Sequence, residues 1–352
     1  MTRERHVRGR AHADVFAVDV GSGTQDVLVT DDGLRRPGLK LVLPAPTQLY
    51  AAKIRRLRKD LFCDGYTMGG GAIAGALRQH AEKYRVIMTP AAARTVRDDL
   101  DRVRDMGIEI GTEKSMDGNF AQLRLMDVDM DAFRVALETL NCRLPKKMAV
   151  AVAVQDHGVA PKGVSDRQFR FRQIEKKIRK GATFRDFIFT GETKAFSRVS
   201  AVIRSLRDQG YDDVLVMDTK IAGIYGGLYG EPLPAIAIDV GNGHTTAASV
   251  AENGAIVGVF EHHTAQLTPK TMRGYLERLA SGTITNEEVF ADGGHGAYVR
   301  EAICPKAIVA TGPRREMALK TGLEIRKASP LDDVYMVGPV GMIRAYRALK
   351  ES

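Results

Sequence analysis

The apolar positions of this chain form two sets of short strands, and each set is followed by segments with helical periodicity. Hairpin signals stand within each set, at Asp31-Asp32-Gly33 and at Glu252-Asn253-Gly254. The predicted strands are 15–20, 26–30 and 39–43 in the first set, and 235–239, 246–250 and 255–260 in the second. The repeated pattern predicts two related halves.

Further helices and strands are predicted between and after these sets. Amphipathic periodicity predicts helices, and short continuous apolar runs predict buried strands. The predicted helices are 51–59, 72–83, 91–106, 129–140, 193–209, 269–280, 286–290 and 342–349, and the additional strands are 61–64, 85–89, 148–154, 306–310 and 335–338. The alternation of strands and helices indicates an α/β fold.

A glycine-rich turn ends the first strand of each set. The turns are Asp19-Val20-Gly21-Ser22-Gly23 and Asp239-Val240-Gly241-Asn242-Gly243, and each is followed by a polar, β-branched run. Glycine lets the chain fold back without a Cβ clash, and it brings backbone N–H groups close to a ligand, which is often phosphate. Two such turns suggest that the two halves face a shared ligand.

These turns resemble the phosphate-1 and phosphate-2 loops of the actin, Hsp70 and sugar-kinase superfamily of ATPases. Residues 213–228 look like the strand and small-residue helix that cross between its two domains. Residues 306–315 are similar to its adenosine loop, with Gly312 where the superfamily usually has two glycines. The resemblance implies two RNase H-like, actin-like half-domains with a nucleotide cleft between them.

The expected domains follow from this resemblance. Residues 1–13, rich in Arg and His, are predicted to be a disordered basic tail. The first actin-like domain is expected over 14–230, with a basic insertion near 159–185, and the second over 231–352.

Four segments also resemble a prokaryotic family that is often labelled "pyruvate-formate-lyase-activating enzyme". They are 65–71, 154–158, 260–264 and 289–296. Such activases hold an iron–sulfur cluster with three closely spaced cysteines. Cys63, Cys142 and Cys304 are far apart in this sequence, so the chemistry named by the label is not expected.

The superfamily resemblance implies ATP and Mg²⁺ as cofactors. Mg²⁺ binds carboxylates largely through water, and Asp19 and Asp239 are the candidate magnesium ligands. The candidate nucleotide-binding residues are Gly21, Ser22, Gly23, Thr24, Gly241, Asn242, Gly243, His244, Thr245, Thr311, Gly312 and Pro313.

Three further residues are candidates for catalysis. Asp156 and His157 follow the buried strand 148–154, and ligands of open α/β sheets bind at the carboxyl ends of strands. A polar turn that caps a helix is the alternative interpretation. If the resemblance holds, Asp218 points with Thr219 at the γ-phosphate.

Five of the eight histidines stand in loops or at strand ends near acidic residues. Imidazole with carboxylate suits a divalent transition metal, and equally suits acid–base catalysis near neutral pH. A lone histidine is more often structural, and the sequence has no His-Glu-x-x-His pattern. The five are His157, His244, His262, His263 and His295, of which the last three are weaker metal candidates.

Two stretches have more than one interpretation. Gly69-Gly70-Gly71 opens a predicted helix and suits either an anion at the helix N-terminus or close backbone packing. The basic stretch 159–185 suits an anionic substrate, a partner, or an amphipathic helix whose long side chains reach solvent.

Charge and composition limit the partners. The formal charge of +9 favours acidic partners such as nucleotides, acyl phosphates and CoA esters. The favoured function adds a small anionic or hydroxylated substrate. Nucleic acid is not expected, because helix-turn-helix and zinc-finger patterns are absent and aromatic residues make up 6% of the chain.

No apolar run reaches the ~18 residues of a membrane helix. Three unpatterned cysteines indicate a reducing compartment, and the cytoplasm is predicted.

The favoured function is that of an ATP-dependent phosphotransferase (kinase) acting on a small acceptor, or an ATPase. An ATP-driven activator or switch that acts on a partner protein is an alternative, as is a metal-dependent hydrolase built from the His and Asp residues. A filament protein of actin type is disfavoured by the compact loops. The acceptor and the oligomeric state, including a homodimer, stay open.

Overall fold

The computed structural model describes residues 13–36, 38–145, 147–161 and 165–351. The tail predicted over 1–13 lies outside this range except for Ala13. The strands are β1 (Asp14–Val20), β2 (Thr24–Asp31), β3 (Leu39–Pro44), β4 (Leu61–Gly65), β5 (Val86–Met88), β6 (Ile108–Ile110), β7 (Ala121–Leu125), β8 (Ala149–Val154), β9 (Val214–Asp218), β10 (Ala235–Val240), β11 (His244–Val250), β12 (Ile256–His263), β13 (Gly296–Val299), β14 (Ala307–Thr311) and β15 (Arg326–Lys327).

The helices lie between and after these strands. They are α1 (Pro46–Arg56), α2 (Gly71–Ala81), α3 (Pro90–Ala93), α4 (Leu100–Arg104), α5 (Met130–Thr139), α6 (Asp166–Arg179), α7 (Ser197–Asp208), α8 (Thr219–Gly227), α9 (Pro269–Ser281), α10 (Asn286–Ala291), α11 (Glu316–Leu319) and α12 (Val337–Lys350). Among the described residues, no helix is both long and apolar enough to span a membrane.

Two of the three sheets have the same topology. The first has the order β3-β2-β1-β8-β9, and the second contains β12-β11-β10-β14-β15 with β13 added beside β12. In each, three antiparallel strands joined by hairpins are followed by one strand that pairs in parallel with the first strand and by a further parallel strand outside it. This duplicated RNase H-like order is the actin-like ATPase fold, and it confirms the predicted fold class.

Strand β8 shows how side-chain alternation builds the first half. Successive side chains of a strand point to opposite faces. Val150, Val152 and Val154 pack in a core with α5 and α7. The intervening alanines, Ala149, Ala151 and Ala153, pack in a second core with α8 and α12. Small side chains on this face leave room for the two helices.

Helices α8 and α12 cross where glycine allows close approach. A Cβ on Gly226 would lie 1.7 Å from the Val337 carbonyl oxygen, and a Cβ on Gly341 would lie 2.0 Å from the Ala222 carbonyl oxygen. Helix α8 also packs on β10 and β14, whereas α12 packs on β1 and β8. The crossing therefore joins the two halves.

The third sheet was not predicted as a unit. It is parallel, has the order β6-β5-β4-β7, and lies in the chain between β3 and β8. Its outer strands β6 and β7 were missed because each is short and β6 is half exposed, so neither carries a clear apolar pattern.

Two other predictions were wrong. Residues 335–338 are not a strand, because Val334–Met336 form a 3₁₀ turn and α12 already begins at Val337. The helix predicted over 91–106 is two short helices, α3 and α4, and the Asp99 side chain caps the second by accepting from the Asp101 N–H.

Candidate functional site

The two glycine-rich turns have matching hydrogen bonds. The Gly21 N–H donates to the Thr24 carbonyl at 2.9 Å, and the Gly241 N–H donates to the His244 carbonyl at 3.0 Å. The carbonyls of Gly23 and Gly243 each accept a backbone N–H at 2.9 Å, from Ala45 and Thr264 respectively. Both turns therefore have the same backbone geometry, and each ends the first strand of its half.

Asp19 lies beneath the first turn. It accepts a hydrogen bond from the Thr219 hydroxyl at 2.6 Å, so it joins β1 to the start of α8. Helix α12 begins against it, since a Cβ on Gly338 would lie 2.0 Å from Asp19 Oδ2. Burial, helped by the nearby Asp26 and Asp239 carboxylates, raises the pKa of Asp19 to about 8.

The raised pKa of Asp19 predicts a pH dependence of stability. Between about pH 4 and pH 8 the unfolded protein ionises this group while the folded protein keeps it protonated, so stability is lost as pH rises. Asp19→Asn should remove this loss and, near pH 8, be more stable than the wild type by a few kcal/mol. Urea unfolding in a chelator measures the difference. A difference that stays constant from pH 5 to pH 8 would contradict the prediction.

Asp239 lies at the equivalent position in the second half and pairs with a lysine. Lys220 Nζ donates to Asp239 Oδ2 at 3.0 Å, and the lysine side chain is 10% exposed. A Cβ on Gly241 would lie 2.5 Å from this Nζ, which places the ammonium group against the second turn. No role was predicted for Lys220, because nothing in the local pattern distinguishes this lysine from a solvated one.

The predicted adenosine loop closes on the same carboxylate. Gly312 has φ +89°, and a Cβ there would lie 2.5 Å from Asp239 Oδ1. The Arg314 N–H donates to the Val240 carbonyl at 2.9 Å, which fixes this loop beside the second turn. Glycine is therefore required at 312 by both conformation and space.

A cleft of about 1630 Å³ separates the two halves. It is lined by both turns, by the loop after β14, and by the starts of α8 and α12. The predicted site residues that line it are Asp19, Gly21, Ser22, Gly23, Thr24, Asp156, His157, Asp239, Gly241, Asn242, Gly243, His244, Thr311, Gly312 and Pro313. Thr245, Asp218, His262, His263 and His295 do not line it.

Asp156 and Asp218 are both held by structural contacts. Asp156 accepts the Gly158 N–H at 2.8 Å and the Val199 N–H at 3.0 Å, so it caps α7. Asp218 caps α8 by accepting the Lys220 N–H at 2.9 Å, and it also binds Arg170. The contacts of Asp156 therefore agree with its interpretation as a helix cap.

Arg170 is the main residue of the site that the sequence did not single out. It lies on α6, within the predicted basic insertion, and is 2% exposed. It binds Asp218 through two nitrogens, at 2.9 and 3.1 Å, and it also binds the fully buried Glu261. This guanidinium holds the pKa of Glu261 well below its usual range, against the opposing effect of burial. It joins the two halves behind the cleft.

Removing this cation should be strongly destabilising. Arg170→Met leaves Glu261 buried without its charge partner, and breaking a buried pair in this way typically costs about 3–5 kcal/mol. The exposed neighbour Arg172 gives a matched control, and Arg172→Met should change stability by less than about 0.5 kcal/mol. Chemical denaturation compares them, and equal effects would refute a special role for Arg170.

Three of the five candidate histidines form a cluster, and the other two lie outside it. His244, His263 and His295 each bring one ring nitrogen to within 4.8 Å of the others. His262 is buried elsewhere, with Nε2 3.4 Å from Asp292 Oδ2. His157 lies beside the group, with its ring centroid 6.4 Å from that of His244. Burial, with a contribution from the other two rings of the cluster, lowers the pKa of His244 to about 4, so its imidazole is neutral at pH 7.

Close packing accounts for the first two glycines of the 69–71 run. A Cβ on Gly69 would lie 2.8 Å from Arg198 Nη2, and a Cβ on Gly70 would lie 2.6 Å from the Thr95 carbonyl oxygen. Arg198 is fixed there by Asp127, with contacts of 2.7 and 2.8 Å. The run also lines the cleft, so its backbone lies at the site.

Comparison with solved structures finds proteins of low identity. The ethanolamine utilization protein EutJ from Carboxydothermus hydrogenoformans is 12% identical with a TM-score of 0.37, over 95% of this chain and 90% of that one. The activator of 2-hydroxyisocaproyl-CoA dehydratase from Clostridium difficile is 11% identical with a TM-score of 0.34, over 96% of each chain. The ROK hexokinase from Thermus thermophilus is 12% identical with a TM-score of 0.33, over 96% and 99%. These scores are too low to carry functional information.

No curated protein matches the chain in sequence. A family model does match. It is described as "Putative pyruvate format-lyase activating enzyme (DUF1786)", and it covers residues 68–317. The match spans most of the chain, which therefore belongs to this family.

Proposed function

We propose that the protein binds a magnesium nucleotide, expected to be ATP, in the cleft, and that it transfers or hydrolyses the terminal phosphoryl group. The observation that carries this proposal is the pair of turns with matching hydrogen bonds, which line one cleft from opposite halves. Backbone N–H groups of such turns suit phosphate oxygens. The positions of Asp19, Asp239 and Lys220 beneath the turns support it.

The residues present fit a magnesium ion. Asp19 and Asp239 both line the cleft, and each keeps lone pairs beyond its single side-chain contact. They would hold Mg²⁺ through water, with the Asp19 carboxyl releasing its proton when the ion binds, and the ion would neutralise part of the phosphate charge. Lys220, beside Asp239 and the second turn, would add a fixed positive charge near the phosphates.

His157 is the best candidate for accepting a proton from the attacking group. Desolvation and the nearby Arg170 guanidinium lower its pKa, so the ring is neutral at pH 7 and can act as a base. Asp156 and Asp218 are proposed as positioning groups, since each already accepts hydrogen bonds from the backbone and caps a helix. In this proposal, Asp218 orders the start of α8, which carries Thr219 and Lys220.

The size and polar lining of the cleft favour a second, small substrate. Ligand pockets usually measure about 300–1,000 Å³, and this cleft exceeds that range. Five arginines and eight aspartates line it, and this mixture suits a small polar acceptor that is hydroxylated or anionic; the arginines are Arg94, Arg97, Arg102, Arg198 and Arg315. We therefore favour phosphotransfer to a small acceptor over hydrolysis driven by a partner protein.

Phosphate release from ATP, measured with and without a panel of small acceptors, tests the proposal. The wild type should show slow turnover that requires Mg²⁺, and an acceptor of the right class should raise ADP formation without raising free phosphate. Asp19→Asn should lower turnover by about 10²-fold or more. Stimulation by a protein partner alone would favour the activator alternative, and absence of Mg²⁺-dependent turnover in every condition would refute phosphoryl transfer.

A further inference from the structure

Three histidines meet beside the second glycine-rich turn. His244 begins β11, His263 ends β12 as its register partner, and His295 directly precedes β13. The ring centroids are 5.0 Å apart for His244 and His263, 4.6 Å for His244 and His295, and 4.8 Å for His263 and His295. The sheet itself therefore sets the three rings in a compact triangle.

One nitrogen of the His295 ring lies against a carboxylate. Its Nδ1 lies 2.7 Å from Glu261 Oε1, and Glu261 is in turn bound by the buried Arg170. The opposite nitrogen, Nε2, is buried without a hydrogen-bond partner, and the residue is 3% exposed. A buried nitrogen without a partner is unfavourable. The contact with Glu261 therefore leaves Nε2 as the nitrogen available to a ligand shared with the neighbouring rings.

We propose that His244, His263 and His295 bind a divalent transition-metal ion of the zinc class. Three imidazoles without a thiolate suit such an ion, and three protein ligands with one open position are usual at catalytic zinc sites. The Glu261–His295 contact supplies the outer carboxylate that usually fixes the tautomer of a metal-binding histidine.

The ring nitrogens of the three histidines must move closer together to bind one ion. Bonds of about 2.0–2.1 Å to a tetrahedral ion place ligand nitrogens roughly 3.4 Å apart. The nitrogens offered by the three residues lie within 4.8 Å of one another, so each pair must approach by at most about 1.4 Å to reach this spacing.

The metal site stands independently of the proposed nucleotide site. His262 does not belong to it, because adjacent side chains of β12 point to opposite faces and His262 contacts Asp292. Since His244 also lines the cleft, an ion bound there would lie next to the second turn and be open to ligands in the cleft. Neither ATP nor Mg²⁺ is needed for it to bind.

Cobalt titration of the full chain, prepared without a histidine tag and stripped of metal, tests this proposal. We expect one equivalent of Co²⁺ to bind, with the visible absorption of a nitrogen-ligated ion and with displacement by Zn²⁺. His263→Ala, at a partly exposed position, should lower the affinity by at least about 100-fold. Glu261→Gln should lower it by about 10–100-fold while keeping the spectrum, as expected of a positioning residue.

His157→Ala is the matched control, because this ring lies beside the triangle and outside it. Its Co²⁺ affinity should stay within about threefold of the wild type. Thermal unfolding of each variant checks that the fold is kept, and His263→Ala alone decides the matter if Glu261→Gln fails to fold. Less than one equivalent bound by the wild type, or wild-type affinity in His263→Ala, would overturn the proposal.

Discussion

Lys220→Met is expected to lower the rate of Mg·ATP turnover by about 10²–10³-fold. The lysine ammonium group is nearly buried, lies 3.0 Å from Asp239 and packs against the Gly241 turn. A fixed charge in such a place stabilises the negative charge of a phosphoryl-transfer transition state without reorganisation, and loss of one such group has effects of this size. Initial rates at saturating nucleotide measure the change.

The control for this variant is Lys194→Met, which removes an exposed lysine. It should leave turnover within about twofold, since an exposed charge is screened by water and salt and contributes little at the site. Methionine has nearly the length of lysine, so Lys220→Met should keep the local packing. Unchanged turnover in Lys220→Met would show that the ammonium group does not act on the phosphates.

Gly226→Ala should destabilise the protein by more than about 4 kcal/mol, or prevent it from folding. The added Cβ would lie 1.7 Å from the Val337 carbonyl oxygen and 2.9 Å from the Gly341 nitrogen. Both contacts are to backbone, so no side-chain rotation relieves them, and α8 and α12 would have to separate. Since this crossing joins the halves, the cleft would be disturbed as well. Urea unfolding gives the free-energy change.

Gly75→Ala is the matched control for this effect. Gly75 also lies in a helix, α2, and a Cβ there meets no atom within 4 Å. Alanine is the better helix former, so this variant should be more stable by about 0.5–1 kcal/mol. If Gly226→Ala were no more destabilising than Gly75→Ala, the close crossing of α8 and α12 would be wrong.

The sequence predicted the parts of the site that depend on local pattern. The strands before Asp19 and Asp239 are continuous apolar runs, and the glycines that follow mark the turns. Because the two copies repeat the same order of strands and turns, the duplicated topology could be predicted before the structure was known. The loop at Gly312 was predicted from its resemblance to the adenosine loop of the superfamily.

The charged network behind the cleft could not be predicted in this way. Arg170 stands among other basic residues of α6, and its partners Asp218 and Glu261 are 48 and 91 residues away in sequence. Local pattern does not distinguish a buried cation from a solvated one, since burial is decided by tertiary contacts. For the same reason, no role was predicted for Lys220, and the cap formed by Asp218 was recognised only in the structure, whereas capping was already the alternative interpretation of Asp156.

Calorimetric binding of Mg·ATP to the metal-analysed protein, beside the Asp239→Asn variant, tests the central claim most directly. Asparagine keeps the shape of the side chain and removes the charge proposed to hold Mg²⁺ next to the second turn. We expect the wild type to bind one nucleotide per chain in the presence of Mg²⁺, and the variant to bind at least about tenfold more weakly. No binding by the folded wild type, or equal affinity in the variant, would contradict a magnesium nucleotide site between the two turns.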